Sequence, residues 1–183
     1  MKKYDFHSLK IKLFDVKNRP LSEFKELFKK FVDDGGDVNV YLNDEPLLIK
    51  SIRTENFDVA DFLLSKNANV NQTDRDDYNA LMMLIAKRDE FLQKLFNKIL
   101  SKTDLTHKNF VGKTALVLAA FAIAPLWMLE KLIEKNISWE IEDNFNNDFL
   151  YYLNESRYEY IINKYPEKYN LYIALKKAAN FNI

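Results

Sequence analysis

The sequence contains no cysteine, three glycines, four prolines and two histidines among its 183 residues. The lack of cysteine excludes disulfides, thiolate nucleophiles and cysteine-based zinc or iron–sulfur sites. The scarcity of glycine and proline leaves no composition typical of a flexible linker or a disordered tail. We therefore expect a single ordered domain over residues 1–183 and a reducing, cytoplasmic location.

Long apolar runs and an excess of one charge sign are also lacking. The longest mostly apolar run, Thr114 to Leu129, is too short for a membrane span and contains Pro125. Asp5, His7 and Lys10 interrupt the apolar stretch that a secretory signal needs. The 27 basic and 27 acidic side chains leave a net charge of zero. We expect no membrane segment and no nucleic-acid partner.

What the sequence does contain is a period near 34 residues. Short helix-opening phrases recur at 45–48, 79–82, 114–117 and 148–151, in steps of 34, 35 and 34. A second phrase precedes each of them in phase, as in Gly35-Gly36-Asp37-Val38-Asn39 and Asn67-Ala68-Asn69-Val70-Asn71. A constant step of this size is the signature of stacked repeats.

Two helical patterns lie between successive phrases. Leu81, Leu84 and Ile85 share one helical face, and the residues from Phe91 to Leu100 make a second apolar stripe. Each unit is therefore predicted to be helix, turn, helix and loop. Glycine and asparagine adopt the left-handed conformation that ends a helix. We expect the second helices to end at Gly35, Asn67 and Asn136. In the third repeat Lys102 stands at this position and is a poorer cap.

These phrases resemble the ankyrin repeat, with its T-P-L-H-x-A helix start, G-A-D-V-N loop and D-x-x-G-x-T approach. The clearest copies are Asn67–Asn71 with Asp74, and Gly112–Leu116. The resemblance covers roughly residues 22 to 154, although no unit has the histidine after T-P-L and the fourth lacks the small alanine pair. It implies an all-α, ankyrin-type helix-turn-helix solenoid of about four repeats with atypical caps. The implied segments are an N-terminal capping pair at 1–40, repeats at 41–72, 73–107, 108–141 and 142–165, and a C-terminal cap at 166–183.

Catalytic, cofactor and metal motifs are weak in this sequence. Gly112-Lys113-Thr114 lacks the earlier glycine and preceding strand of a phosphate-binding loop, so we interpret Thr114 as a helix cap. His7 and His107 lie a hundred residues apart, and Asp74-Arg75-Asp76-Asp77 lacks the spacing of an EF-hand. We expect no cofactor, no metal and no enzymatic activity.

The resemblance also implies where a partner binds, because ankyrin loop tips and first helices form a concave face. Over the loops 37–45, 71–79, 104–113 and 140–148, carboxylates outnumber Lys and Arg by about eight. An acidic face suits a basic partner. The partner-binding residues implied are Tyr41, Asp44, Asp74, Arg75, Asp76, Tyr78, His107, Lys108, Phe110, Phe121, Glu142, Asn144 and Phe145.

Packing is the alternative role for the aromatic members of this set. Tyr78, Phe110 and Phe145 either bind a partner or pack on a neighbouring repeat, and Phe121 either faces the partner or fills the core. Trp127 lies on a predicted second helix, where it either marks a second contact surface or packs against the C-terminal region.

The leading functional hypothesis is a non-catalytic, monomeric protein-binding module that binds and neutralises a protein partner, such as a bacterial immunity or inhibitor-type protein. One alternative is a self-assembling scaffold or adaptor that uses Trp127 and the lysine-rich second helices. A host-directed ankyrin effector is another. An enzyme using Asp74 or Glu142 is the weakest, because no nucleophile, base and oxyanion donor converge in the sequence.

Overall fold

The computed structural model describes residues 6–135 and 137–180, the last two by their backbone alone. These residues form an all-α fold, as expected, with one short β-hairpin and one 3-10 turn at Leu150–Tyr152. The strands are β1 (Tyr41–Leu42) and β2 (Glu45–Pro46). The helices are α1 (Phe6–Phe14), α2 (Leu21–Asp33), α3 (Leu47–Arg53), α4 (Phe57–Ser65), α5 (Ala80–Lys87), α6 (Gln93–Leu100), α7 (Ala115–Phe121), α8 (Leu126–Ile133), α9 (Glu155–Lys164) and α10 (Pro166–Asn180).

The chain divides into two compact units, which we call unit 1 (Met1–Asp104) and unit 2 (Leu105–Ile183). In unit 1 the first helices of successive pairs pack in order, α1 on α3 and α3 on α5. The second helices do the same, α2 on α4 and α4 on α6. Unit 1 is thus a stack of helix pairs, the arrangement that repeat sequences produce. The single domain over 1–183 stays a prediction.

First and second helices differ in how they are buried. Every residue of α5 from Ala80 to Ile85 is buried, and α5 packs against both its partner helix α6 and the preceding first helix α3. In α6 only one face is buried, and Lys94 and Lys98 lie on the exposed face. No helix within the described ranges is both long and apolar enough to cross a bilayer.

Helix ends follow the expected capping chemistry. The side chain of Asn79 accepts the backbone N–H of Met82 at 3.0 Å and thereby caps α5. Thr114 caps α7 in the same way. Gly35 and Asn67 have positive φ angles of 91° and 62° after the second helices, as predicted. Asn136, the third predicted terminator, lies outside the described residues.

Asparagines of the recurring loop phrase connect one repeat to the next in unit 1. Asn39 Oδ1 accepts the backbone N–H of Asn69 at 2.8 Å. Asn71 Oδ1 accepts the backbone N–H of Asp104, also at 2.8 Å. The phrase therefore recurs because the same side chain satisfies a backbone donor in the following loop.

The loop before α3 is a tight β-hairpin, with Tyr41 opposite Pro46 and Leu42 opposite Glu45. Asn43 and Asp44 at its tip both have positive φ, 51° and 59°. Two successive left-handed residues define the two-residue turn that matches strand twist. The hairpin places Tyr41 and Asp44 at the surface.

Unit 2 begins with the pair α7 and α8 and ends with α9 and α10. The first helix of the fourth predicted repeat is reduced to the 3-10 turn, which packs on α7. It stops there because Leu153 is extended and Asn154 already caps α9 by accepting the backbone N–H of Arg157 at 3.0 Å. The C-terminal helix α10 begins at Pro166.

Candidate functional site

An Asp or Asn side chain organises the loop before each of three first helices. Asp74 Oδ1 accepts the backbone N–H groups of Asp76 and Tyr78, both at 3.0 Å. In the next loop, Asn109 Oδ1 accepts the N–H of Lys113 at 2.9 Å. In the loop after that, Asp143 Oδ1 accepts two backbone N–H groups. The three positions are 35 and 34 residues apart, so the repeat period could have identified them as structural residues.

In unit 1 the second oxygen of Asp74 is bound by Arg53 at the end of α3. Arg53 Nε also donates to Glu45 Oε1 at 2.6 Å, and Lys50 Nζ lies 3.4 Å from Glu45 Oε2. Burial alone would lower the pKa of Arg53, but the hydrogen bonds and charges of Glu45 and Asp74 raise it. Asp74 is only 6% exposed, so its implied role in partner binding is replaced by a structural one.

In unit 2 the corresponding carboxylate, Asp143, is paired with the buried Lys113. Tyr152 Oη donates to Asp143 Oδ2 at 2.6 Å and lies 3.0 Å from Lys113 Nζ. Burial alone would raise the pKa of Asp143, but these donors and two backbone N–H groups hold it well below its usual range. Burial would lower the pKa of Lys113, but its bonds to Asp143 and Tyr152 raise it. Because Lys113 is committed to this pair, it is not available to hold a phosphate.

Aromatic rings surround the ammonium group of Lys113. Its Nζ lies 4.6 Å from the ring centroid of Tyr152, 4.9 Å from Phe121 and 5.5 Å from Phe145. Tyr152 also makes edge contacts with Phe121 at 5.4 Å and Tyr151 at 5.2 Å. These rings form one contiguous cluster because the buried cation attracts their faces.

Much of this cluster is open to solvent. Phe121 is 55% exposed, Phe145 65% and Tyr151 68%. Phe110 is 58% exposed. Its loop lies beside Phe145, since the side chain of the adjacent Asn144 donates from Nδ2 to the backbone carbonyl of Phe110 at 3.1 Å. We call Phe110, Phe121, Phe145 and Tyr151 the aromatic surface of unit 2.

Other implied binding residues of unit 2 hold its loops together. Lys108 Nζ donates to the carbonyl of Glu142 at 2.9 Å, and the Glu142 side chain accepts from Lys176 at 2.6 Å. Lys176 Nζ also lies 3.0 Å from Asp148. His107 is half-buried. The carboxylates of this loop are therefore largely neutralised by lysines, one of them on the distant helix α10.

The loops of unit 1 carry exposed carboxylates. Asp37, Asp44, Asp76 and Asp77 are exposed there, and Arg75 is the exposed base among them. We call these four carboxylates the acidic surface of unit 1. Tyr41, Asp44 and Asp76 lie at the surface as predicted, while Tyr78 is half-buried. Asp44 and Arg75 both line a cleft of about 230 Å³ between the hairpin and the Asp74 loop.

Trp127, the residue of the predicted second surface, is half-buried on α8. It also has interactions within the protein. The sequence did not reveal the roles of Lys113 and Lys176, because these depend on contacts between distant segments. Among the described residues, no three His, Asp or Glu side chains are grouped to hold a metal ion.

Comparison with known proteins agrees with the repeat architecture. No family model matches the sequence. A curated protein of Rickettsia bellii (strain RML369-C), named as an ankyrin repeat protein, is 33% identical to this chain over 140 residues. The similarity covers 71% of the chain, which spans 39% of that relative's length. Together with the phased loop phrases and the stacked helix pairs, this similarity places the chain in the ankyrin-repeat family, with degenerate repeats.

Proposed function

We propose that the chain is a protein-binding module that uses two chemically distinct surfaces, the acidic surface of unit 1 and the aromatic surface of unit 2. Ankyrin repeats are in general non-catalytic protein-interaction modules. The proposal assigns no catalytic residue, because the buried charged groups Asp74, Lys113 and Asp143 are held in ion pairs.

The exposure of four large rings in unit 2 is the observation that carries the proposal. Each ring of the aromatic surface is more than half exposed, although burying such a ring stabilises a protein by about 1.5–3 kcal/mol. Neighbouring exposed aromatic side chains are typical of the centre of a protein interface. Phe121 and Phe145 contact the ammonium group of Lys113, and Tyr151 contacts the ring of Tyr152, so these three rings are preorganised for contact with a partner.

The exposed carboxylates of unit 1 support a partner with a basic surface. Asp37, Asp44 and Asp76 are exposed carboxylates that attract a basic surface and accelerate its association. The finer proposal is that binding neutralises the partner. A protein whose basic surface does its work, such as a nuclease, loses activity when that surface is covered.

Affinity capture from the native cells, followed by mass spectrometry, tests the proposal. The bait is the intact chain, compared with an acidic-surface variant, Asp44→Lys/Asp76→Lys, and an aromatic-surface variant, Phe145→Ser/Tyr151→Ser. We expect both variants to capture less of the same partner than the parent does. A purified partner is then assayed for its own activity with equimolar chain, and unchanged activity would contradict neutralisation while leaving binding intact.

The matched control for charge is Glu26→Lys/Glu159→Lys, which makes the same change in net charge at exposed helix positions outside the loops. The matched control for the rings is Phe91→Ser, since Phe91 is 94% exposed and lies outside the aromatic surface. Both controls should capture the partner as the parent does. Unchanged capture by the two surface variants would refute the assignment of both surfaces.

A further inference from the structure

A groove between α2 and α4 in unit 1 has a chemistry opposite to that of the acidic surface. Its volume is about 390 Å³, and it is open to solvent. Phe28 and Phe62 form its floor, with ring centroids 5.4 Å apart and planes at 90°. Val32, which is 43% exposed, continues the apolar lining along α2. The groove is thus an apolar depression on the second-helix side of the repeats.

Lysines line the rim of this groove. Lys25 Nζ and Lys66 Nζ each lie 5.6 Å from the ring centroid of Phe62. Lys29 is neutralised by Asp33, whose Oδ2 is 2.6 Å from its Nζ. Within the described ranges no ion pair includes Lys25 or Lys66, and both side chains are exposed. The lining therefore carries two uncompensated positive charges beside an aromatic floor.

We propose that this groove binds a short acidic and apolar segment of a protein partner. An aromatic or aliphatic side chain of that segment packs on Phe28, Phe62 and Val32, and flanking carboxylates pair with Lys25 and Lys66. Charge complementarity favours an acidic occupant, and the open groove leaves the backbone of an extended segment in contact with water. The site is separate from both surfaces of the proposed function and does not depend on them.

Peptide titration of the intact, ¹⁵N-labelled chain tests the proposal. The probes are acetyl-Glu-Phe-Leu-Glu-amide and its uncharged match, acetyl-Gln-Phe-Leu-Gln-amide. We expect the acidic peptide to shift amide resonances of α2 and α4 and to bind about fivefold or more tightly than the uncharged one. Lys25→Glu/Lys66→Glu should weaken the acidic peptide at least about tenfold, and Val32→Ser should weaken both peptides.

Two controls keep the result specific. Lys94→Glu/Lys135→Glu makes the same charge change at exposed positions outside the groove and should bind as the parent does. Lys25→Arg/Lys66→Arg keeps the charge and should retain binding.

Equal affinity for the two peptides, or shifts confined to other helices, would overturn the proposal. Tighter binding of dodecanoate at the same helices would assign the groove to a free fatty acid instead. The same shifts on raising protein concentration without peptide would assign it to a second copy. Either result would overturn a peptide occupant.

Discussion

Replacement of Lys113 by methionine tests whether the buried ion pair behind the aromatic surface stabilises unit 2. The side chains of Lys113 and Asp143 are 4% and 0% exposed, and Tyr152 completes their hydrogen bonding. Methionine keeps most of the length and the contacts with the surrounding rings while removing the charge. The change therefore isolates electrostatics from packing.

The expected loss follows from the environment of Asp143. Removing one partner of a buried ion pair costs about 3–5 kcal/mol, because the other charge stays buried without compensation. Tyr152 and the backbone N–H groups of Phe145 and Asn147 still donate to Asp143, so we expect a loss of about 3 kcal/mol. The double variant Lys113→Met/Asp143→Asn should recover much of it, since no buried charge remains.

The effect should depend on pH in a defined direction. The folded-state pKa of Asp143 is depressed, so its stabilisation is complete above the ordinary value of 3.8 and is lost as the pH falls below it. Removal of Lys113 takes away part of that depression. The difference between parent and variant should therefore be largest near pH 7 and shrink as the pH falls from about 5 to about 2.

Urea unfolding followed by tryptophan fluorescence measures this directly. Both tryptophans, Trp127 and Trp139, lie in unit 2, so the signal reports that unit. A loss within about 0.5 kcal/mol of zero would refute the reasoning, because that is the range of ordinary surface substitutions. A loss that stayed the same from pH 7 to pH 3 would refute the electrostatic part alone.

Three further predictions concern stability and are measured by urea unfolding followed by far-ultraviolet circular dichroism, because that signal reports the helices of both units. Asn79→Ala removes the side-chain cap of α5 and should cost about 1 kcal/mol, whereas an uncapped α5 of equal stability would contradict the assignment. Gly112→Ala should cost more than Gly35→Ala, since both have positive φ but only at Gly112 would a Cβ lie 2.4 Å from Asn144 Oδ1. Equal losses would contradict this reasoning, because the backbone nitrogen of Asn144 would also lie 2.7 Å from the added Cβ. Phe91→Ser should change stability by less than about 0.5 kcal/mol because the ring is 94% exposed, and a larger loss would show that the ring packs.

Local features of the fold could be predicted from the sequence because their causes are local. Gly35 and Asn67 end helices through their own backbone conformation, and Thr114 caps α7 through a donor three residues away. The 34-residue period also predicts which loops are equivalent.

Roles that depend on distant contacts could not be predicted in the same way. Asp74 and Asp143 are buried because cations 21 and 30 residues earlier bind them. Lys176, on the C-terminal helix, lies 34 residues from Glu142. The repeat period marks Asp74 and Asp143 as equivalent loop positions but does not show which cations bind them, so the acidic face inferred from composition included groups that are neutralised.

The ion pairs Arg53–Asp74 and Lys113–Asp143 both use a loop carboxylate to stabilise the protein rather than to bind a partner. In each case a loop carboxylate uses one oxygen to order its own loop and the other to bind a cation from an earlier repeat. Counting carboxylates in the loops therefore overestimates the charge that a partner meets. The exposed remainder is concentrated in unit 1, whereas unit 2 presents rings. Added salt should consequently weaken partner binding through unit 1, and Asp44→Lys/Asp76→Lys should abolish that dependence while Phe145→Ser/Tyr151→Ser leaves it unchanged.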